Sequence, residues 1–204
     1  MIDAGFGRNL FNNLELLGLA PEQIDIILIT HMHGDHIGGL LKDGTITFPN
    51  AELYVANFEA DYWLKNNSTS GAAKVIEAYN SKLRLFEPSE LNNSKELLSK
   101  IHAIAAYGHT PGHTVFLLKS ENAQLMVWGD LTHAMAIQMP HPEIAVTYDV
   151  NPQEAVAVRK KILEYIAEHK IFVAGMHIAF PAIGTITPNG DGGYEFNAES
   201  TDNP

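Results

Sequence analysis

The chain has 204 residues and no cysteine, with 46% apolar and 18% charged side chains. A chain of that length can bury a full core without staples, and the missing thiols exclude disulfide scaffolds, thiolate zinc sites and cysteine nucleophiles. Thirteen Lys and Arg stand against 24 Asp and Glu, giving a formal net charge of −11 that argues against nucleic acid as a partner.

Taken in chain order, Ile2-Asp3-Ala4-Gly5 reads as the end of a strand running into a glycine turn. Leu10, Leu14 and Leu17 repeat at helical spacing, and Gly18 supplies the stop. The mostly apolar Ile24–Ile29 suits a buried strand that ends at Thr30. Leu53–Val55 is a second short strand, Asn57 caps a helix through about Leu64, and Asn66–Gly71 is a polar turn before a helix near Ala72–Tyr79. Leu83–Phe86 and Ile101–Ala105 read as strands, and Val115–Leu118 with Leu125–Trp128 as a hairpin. Pro152 opens the longest helix, with Val158, Ile162 and Ile166 on one stripe, and Ile171–Ala174 is another buried strand. Residues 197–204 read as a disordered tail. The alternation predicts an α/β fold with helices covering sheets, in a single domain over 1–204.

No apolar run approaches the roughly 18 residues of a membrane span. Met1 to Gly7 shows no basic segment leading into an apolar one, so no signal peptide is visible. A small molecule is the expected partner, with no membrane and no nucleic acid; the localisation stays open, cytoplasmic as the sequence is written and periplasmic or secreted if a signal-bearing segment precedes Met1.

Ten histidines nearly match the whole Lys and Arg count, and they cluster. Thr30-His31-Met32-His33-Gly34-Asp35-His36 follows a buried strand directly. Imidazole and carboxylate are ligands that divalent zinc accepts, and three His with one Asp are too many donors for one tetrahedral ion. The spacing suits two ions: His31 and His33 reach one, Asp35 and His36 turn toward the other, and Gly34 lets the backbone bend between the pairs. Gly108-His109-Thr110-Pro111-Gly112-His113-Thr114, Trp128-Gly129-Asp130 and Gly175-Met176-His177 each follow a further apolar strand. Loops at the carboxyl ends of strands in layered α/β proteins converge on one edge, where sites form.

These motifs, in this order, resemble the metallo-β-lactamase-fold hydrolases. Val127–Asp130, Val173–His177, Phe180-Pro181 and Gly192-Gly193-Tyr194 resemble the branch containing methyl parathion hydrolase. The resemblance implies a four-layer αββα sandwich, here lacking its first N-terminal strands, so that a sheet edge or face is left exposed. It implies two Zn2+ ions, with Fe or Mn as substitutes: one held by His31, His33 and His113, the other by Asp35, His36 and His177, with Asp130 bridging. A water shared by two cations loses its proton readily and becomes the nucleophile. Two dications, two carboxylates and one hydroxide leave about one positive charge for an oxyanion. Asp35 and Asp130 are the catalytic carboxylates of this reading, with Asp35 also orienting the hydroxide. His109 and His133 are candidates to support the ligands or to line the pocket.

His102, His141 and His169 read as structural, the last suiting a helix C-terminus. Thr30 and Thr114 are expected to brace the ligand loops, and Met135, Ile137 and Met139 to form an apolar rim. The expected activity is hydrolysis of small esters, lactones or organophosphate triesters. A β-lactamase or a thioester hydrolase of the same fold is the alternative, and a thioesterase handling glutathione would show basic residues after Lys170, which is the last one. The reading from another class is a truncated, non-catalytic, metal-stabilised remnant, which an inert apo-protein that aggregates or folds only as a dimer would favour; a homodimer is the oligomer considered.

Overall fold

A computed structural model describes residues 1–66 and 68–200 of the protein, and the chain divides into two compact units, Met1–Glu87 and Pro88–Pro204. In the first, α1 (Leu10–Leu16) stops where Gly18 takes φ +70°, as its spacing predicts. A 3-10 turn over Pro21–Gln23 shortens the expected strand to β1 (Ile26–Leu28). Backbone bonds from Glu52 N to Asp25 O (2.8 Å) and from Ile29 N to Tyr54 O (3.0 Å) still extend its pairing at both ends. Then come α2 (Gly34–Ile37), a two-residue hairpin of β2 (Leu41–Lys42) and β3 (Thr45–Ile46), β4 (Glu52–Ala56), α3 (Asn57–Asn66), α4 (Gly71–Ala78) and β5 (Leu83–Phe86). The sheet order is β1-β4-β5, all parallel, with Ile27 opposite Leu53 and Val55 opposite Leu85. Met1 and Asp3 bond to Leu28, which sets the first residues parallel to β1. Ile27, Leu53, Val55 and Phe48 are fully buried in the core, each contributing roughly 1.5–3 kcal/mol relative to exposure.

Tyr79, which ends α4, is buried in that core, with its hydroxyl donating to Leu40 O at 3.4 Å. Burial pushes its pKa up to about 12, whereas an unfolded tyrosine ionises near 10. A raised folded pKa leaves stability intact below the unfolded value and erodes it as pH rises through the folded one. The unfolding free energy is therefore expected to fall between about pH 10 and 12, by roughly 2–3 kcal/mol. Urea titrations of Tyr79→Phe across this range should show a flatter profile; an unchanged profile would remove Tyr79 as the cause.

The second unit runs β6 (Glu96–Leu98), β7 (Ile101–Ala105), β8 (Thr114–Ser120), β9 (Ala123–Val127), α5 (Met135–Gln138), α6 (Pro152–His169), β10 (Phe172–Ala174), β11 (Ile183–Pro188) and β12 (Tyr194–Ala198). They form one sheet in the order β12-β11-β10-β9-β8-β7-β6. Every neighbouring pair is antiparallel except β9 with β10, which are joined through α6, the long crossover that a parallel pair requires. Strands β7, β9 and β10 consequently run the same way, and the loops that follow them leave the sheet at one edge.

Asn151 caps α6 by accepting from Glu154 N (3.3 Å), Pro152 occupies the first turn and Lys170 closes the helix in the left-handed region. Its expected stripe is borne out in Ile162 and Ile166, which pack fully buried with Val115, Leu117, Met126, Trp128 and Val173, while Val158 is partly buried. The tail reading is corrected at its start: Asn197 and Ala198 pair with Thr185 and Gly184 in β12. Strand pairing supplies what composition there does not; residues 201–204 lie outside the described residues. No helix among the described residues is long and apolar enough to cross a membrane.

Candidate metal centre

In the first unit, the loop after β1 turns directly into α2, with His33 at the N-cap. Gly34 does not make the bend that its place in the motif suggests. It is the first residue of α2, with no positive φ, and a Cβ there would meet open space. Asp3 governs the loop instead. Its carboxylate accepts from Thr30 N (2.8 Å) and from the Thr30 hydroxyl (2.7 Å), and it binds His36 Nδ1 at 2.8 Å. The single proton of the Thr30 hydroxyl goes to Asp3, so Thr30 Oγ1 meets His31 Nδ1 (3.2 Å) as an acceptor. Both His31 and His36 thus have an acceptor for a proton on Nδ1, the tautomer that keeps the Nε2 lone pair. His31 Nε2 then lies 2.9 Å from His33 Nδ1. A second carboxylate, Glu59 on α3, accepts from Met32 N (2.8 Å) and Trp63 Nε1 (2.7 Å), and the Trp63 ring meets His33 edge-on at 5.6 Å. Asp35 is half-buried, with Oδ2 3.7 Å from His36 Nε2.

In the second unit, Asp130 Oδ2 is the point of convergence. The Nε2 atoms of His133, His109 and His177 lie 2.9, 3.3 and 3.3 Å from it. His109 comes from the loop after β7, Asp130 and His133 from the segment after β9, and His177 from the turn after β10, where it takes φ +60°. Three loops at one sheet edge therefore do meet, as the strand-end pattern predicts. Asp149 accepts from His109 Nδ1 at 2.9 Å. Burial by itself pulls the His109 imidazolium down, but hydrogen bonds to Asp130 and Asp149 outweigh it and hold its pKa above the usual histidine value. Burial pushes Asp149 the other way and is likewise outweighed, by His109, the Val146 N–H and the Arg159 charge, leaving it below the usual carboxylate value.

His113 needs a correction. Its Nδ1–H donates to Ala106 O (2.9 Å), and its Nε2 accepts the backbone N–H of Asp130 (3.0 Å). Both nitrogens serve the backbone, so no lone pair is left for an ion, and His113 braces the loop that presents Asp130. His109, four residues earlier, is the one that faces the carboxylate. His133 joins the cluster, stacked on His177 at 5.0 Å and 5.7 Å from the Tyr148 ring. Thr114 braces its loop through Gly112 O (2.9 Å). Of the expected rim, only Ile137 is exposed, while Met139 is buried in the core. His102 lies buried in β7, His141 pairs with Glu143 at the surface, and His169 stacks on Tyr165 in the last turn of α6.

Sequence reasoning missed Asp3, Glu59, Asp149 and Arg159. Their contacts with Thr30, Met32, His109 and Leu131 in turn span 27 or more residues, and no local spacing marks such pairs.

The donor chemistry fits a divalent cation. His31 with His33, Asp35 with His36, His109 with Asp130, and Asp130 with His177 each offer ligand atoms within 4.8 Å of one another. His36 and His109 give their other ring N–H to a carboxylate, the arrangement that fixes tautomer and ring orientation in metal-ligating histidines.

The family model of the metallo-beta-lactamase superfamily matches residues 1–175. The chain belongs to that superfamily. Among solved structures, it is similar to AidC, a dizinc quorum-quenching lactonase, with 30% identity and a TM-score of 0.88 over 99% of this chain and 76% of that one. The hydrolase AbOPH matches at 29% identity and TM-score 0.88 over the same shares. Among curated proteins, the uncharacterized protein YobT of Bacillus subtilis (strain 168) is 30% identical over 129 residues, 57% of this chain. The chain spans about half of that relative's length, 51%.

Proposed function

We propose that the protein is a dinuclear zinc hydrolase of small lactones and related esters. On the superfamily pattern, as amended by the second unit's geometry, His31, His33 and His109 would hold one ion and Asp35, His36 and His177 the other, with Asp130 available to both. The observation that carries the reading is the convergence of three imidazole Nε2 atoms within 3.3 Å of Asp130 Oδ2. When bound, the ions supply a hydroxide at neutral pH and polarise the scissile carbonyl.

The chain's own residues do the rest. Asp3 holds His36 and, through Thr30, sets the His31 tautomer. His113 fixes the backbone of Asp130. His133 keeps the Asp130 carboxylate turned toward the other two imidazoles, and the exposed Tyr148 ring beside it offers an apolar surface to substrate. The lactone preference is supported by the likeness to AidC along nearly the whole chain. Phosphotriester turnover, the methyl parathion hydrolase-like reading, forms a separate arm of the test.

Zinc-reconstituted protein should hold two equivalents of metal, measured by mass spectrometry after desalting. At fixed zinc it should turn over an acyl lactone faster than an aryl ester, a phosphotriester, a penicillin or a glutathione thioester. Absence of bound metal, or lactone turnover that survives chelation, would sink the proposal. Faster phosphotriester turnover would move the substrate class and leave the metal assignment standing.

A further inference from the structure

Arg159, Gln138 and Asp149 are among the buried polar side chains of the second unit that metal ligation does not account for. Arg159, on α6, donates from Nε to Leu131 O (2.7 Å) and from Nη1 to Pro142 O (3.0 Å) and Ile144 O (2.8 Å). Gln138 accepts from His133 N (2.7 Å) and Ala134 N (3.1 Å) and donates to Ile144 O (3.0 Å). Together they pin the segment between Asp130 and Asp149 to the long helix. At its far end, Asp149 Oδ2 accepts from Val146 N (3.1 Å) and lies 3.8 Å from Arg159 Nη2, while Oδ1 binds His109 Nδ1 (2.9 Å).

We propose that Asp149 is the positioning residue for His109 and that Arg159 holds Asp149 in place for that task. The inference rests on the metal reading above. The logic is geometric. An imidazole presents one Nε2 lone pair in a fixed direction only if its Nδ1–H has a fixed acceptor, and a carboxylate is the strongest acceptor available. Asp149 can serve as one because both its oxygens are engaged and the Arg159 guanidinium stands beside it, whereas a buried carboxylate without a cation would be costly. The same guanidinium bonds carbonyls on either side of α5, so His109, Asp130 and His133 share one anchor. A purely structural role for Asp149 would instead be to close the Val146–Asp149 turn.

The test combines a variant with a measurement on the unaltered chain. Asp149→Asn keeps the shape, but its amide cannot accept from both His109 and Val146 without turning a donor toward one of them. Zinc affinity, measured by competition with a chromophoric chelator, is expected to fall about 10–100-fold. The visible spectrum of the cobalt-loaded variant should shift, and the far-UV spectrum should stay that of the wild type. Affinity equal to wild type, whatever happens to the melting temperature, would overturn the proposal. Should Asp149→Asn fail to fold, proton–nitrogen correlation of the imidazoles in the wild-type chain decides instead, with His109→Ala identifying the resonance. A His109 Nδ1–H strongly downfield and slow to exchange supports the proposal, and a His109 protonated on Nε2 alone overturns it. Wild-type protein that binds no zinc would refute the metal reading, and the imidazole spectrum would still decide whether Asp149 orients His109.

Discussion

Asp130→Ala is expected to lose at least one of two bound metal equivalents and to lower hydrolytic turnover by about a hundredfold or more, since the loss of a residue that merely supports a ligand already costs 10–100-fold. The substitution removes the acceptor on which His109, His133 and His177 converge at 2.9–3.3 Å. It leaves the backbone untouched, and the Asp130 N–H still donates to His113 Nε2. The fold should therefore survive, and the far-UV spectrum of the variant should match that of wild type. Metal analysis after desalting, paired with lactone turnover at fixed zinc, checks the expectation. An Asp130→Ala protein that retains two equivalents and full activity would show that the carboxylate is not shared between ions.

Gly108→Ala is expected to be a strongly damaging single-methyl change near the site. Gly108 has φ +127°, a conformation L-residues rarely adopt, and a Cβ there would sit 2.1 Å from Ala155 N and 2.5 Å from Ala155 Cα. The obstacle is backbone in the first turns of α6, so no rotamer change relieves it. Either the helix or the loop carrying His109 must move. Overpacking costs about 1–3 kcal/mol and backbone strain about 1–3 more. Together these lower the melting temperature by roughly 4–24 °C in a chain of this size. Calorimetry of the metal-free protein measures it. Gly34→Ala is the contrast: it lies inside the metal motif, yet its Cβ would meet open space at the start of α2, so a change within about 0.5 kcal/mol is expected. Equal losses from the two alanines would show that crowding at Ala155 does not set the cost.

The two glycines show how much of the site is legible in the sequence. Gly34 stands out because it interrupts a run of ligands, and the spacing invites a role for it. Gly108 stands out only when α6, more than forty residues later, is laid against its Cα. The same division holds for the histidines. His31, His33, Asp35 and His36 occupy one loop after one apolar strand, and six consecutive residues cannot be far apart in any fold. Short-range geometry is covalent geometry, so that cluster could be read directly. His109 and His113 lie in one loop with the same residue types around them. Which of them faces Asp130 depends on how β7 and β8 seat the loop, with Ala106 O and Asp130 N claiming both nitrogens of His113.

The regular elements follow the same rule. α6 was readable from Pro152 at its start and an apolar stripe through Ile162 and Ile166, because a helix makes its hydrogen bonds within itself. β11 and β12 were not, since their bonds are to each other and to β10, and their composition is polar at the end of the chain. By itself, then, the sequence determined the donor types, the absence of a thiol nucleophile, and the strand ends from which the donors project. These are matters of residue identity and local periodicity. Only the tertiary structure decided that His109 and not His113 meets Asp130, and that Asp3 and Asp149 orient the imidazoles. Those contacts join residues 17 to 40 positions apart, and packing of strands and helix, not spacing along the chain, sets which atoms meet.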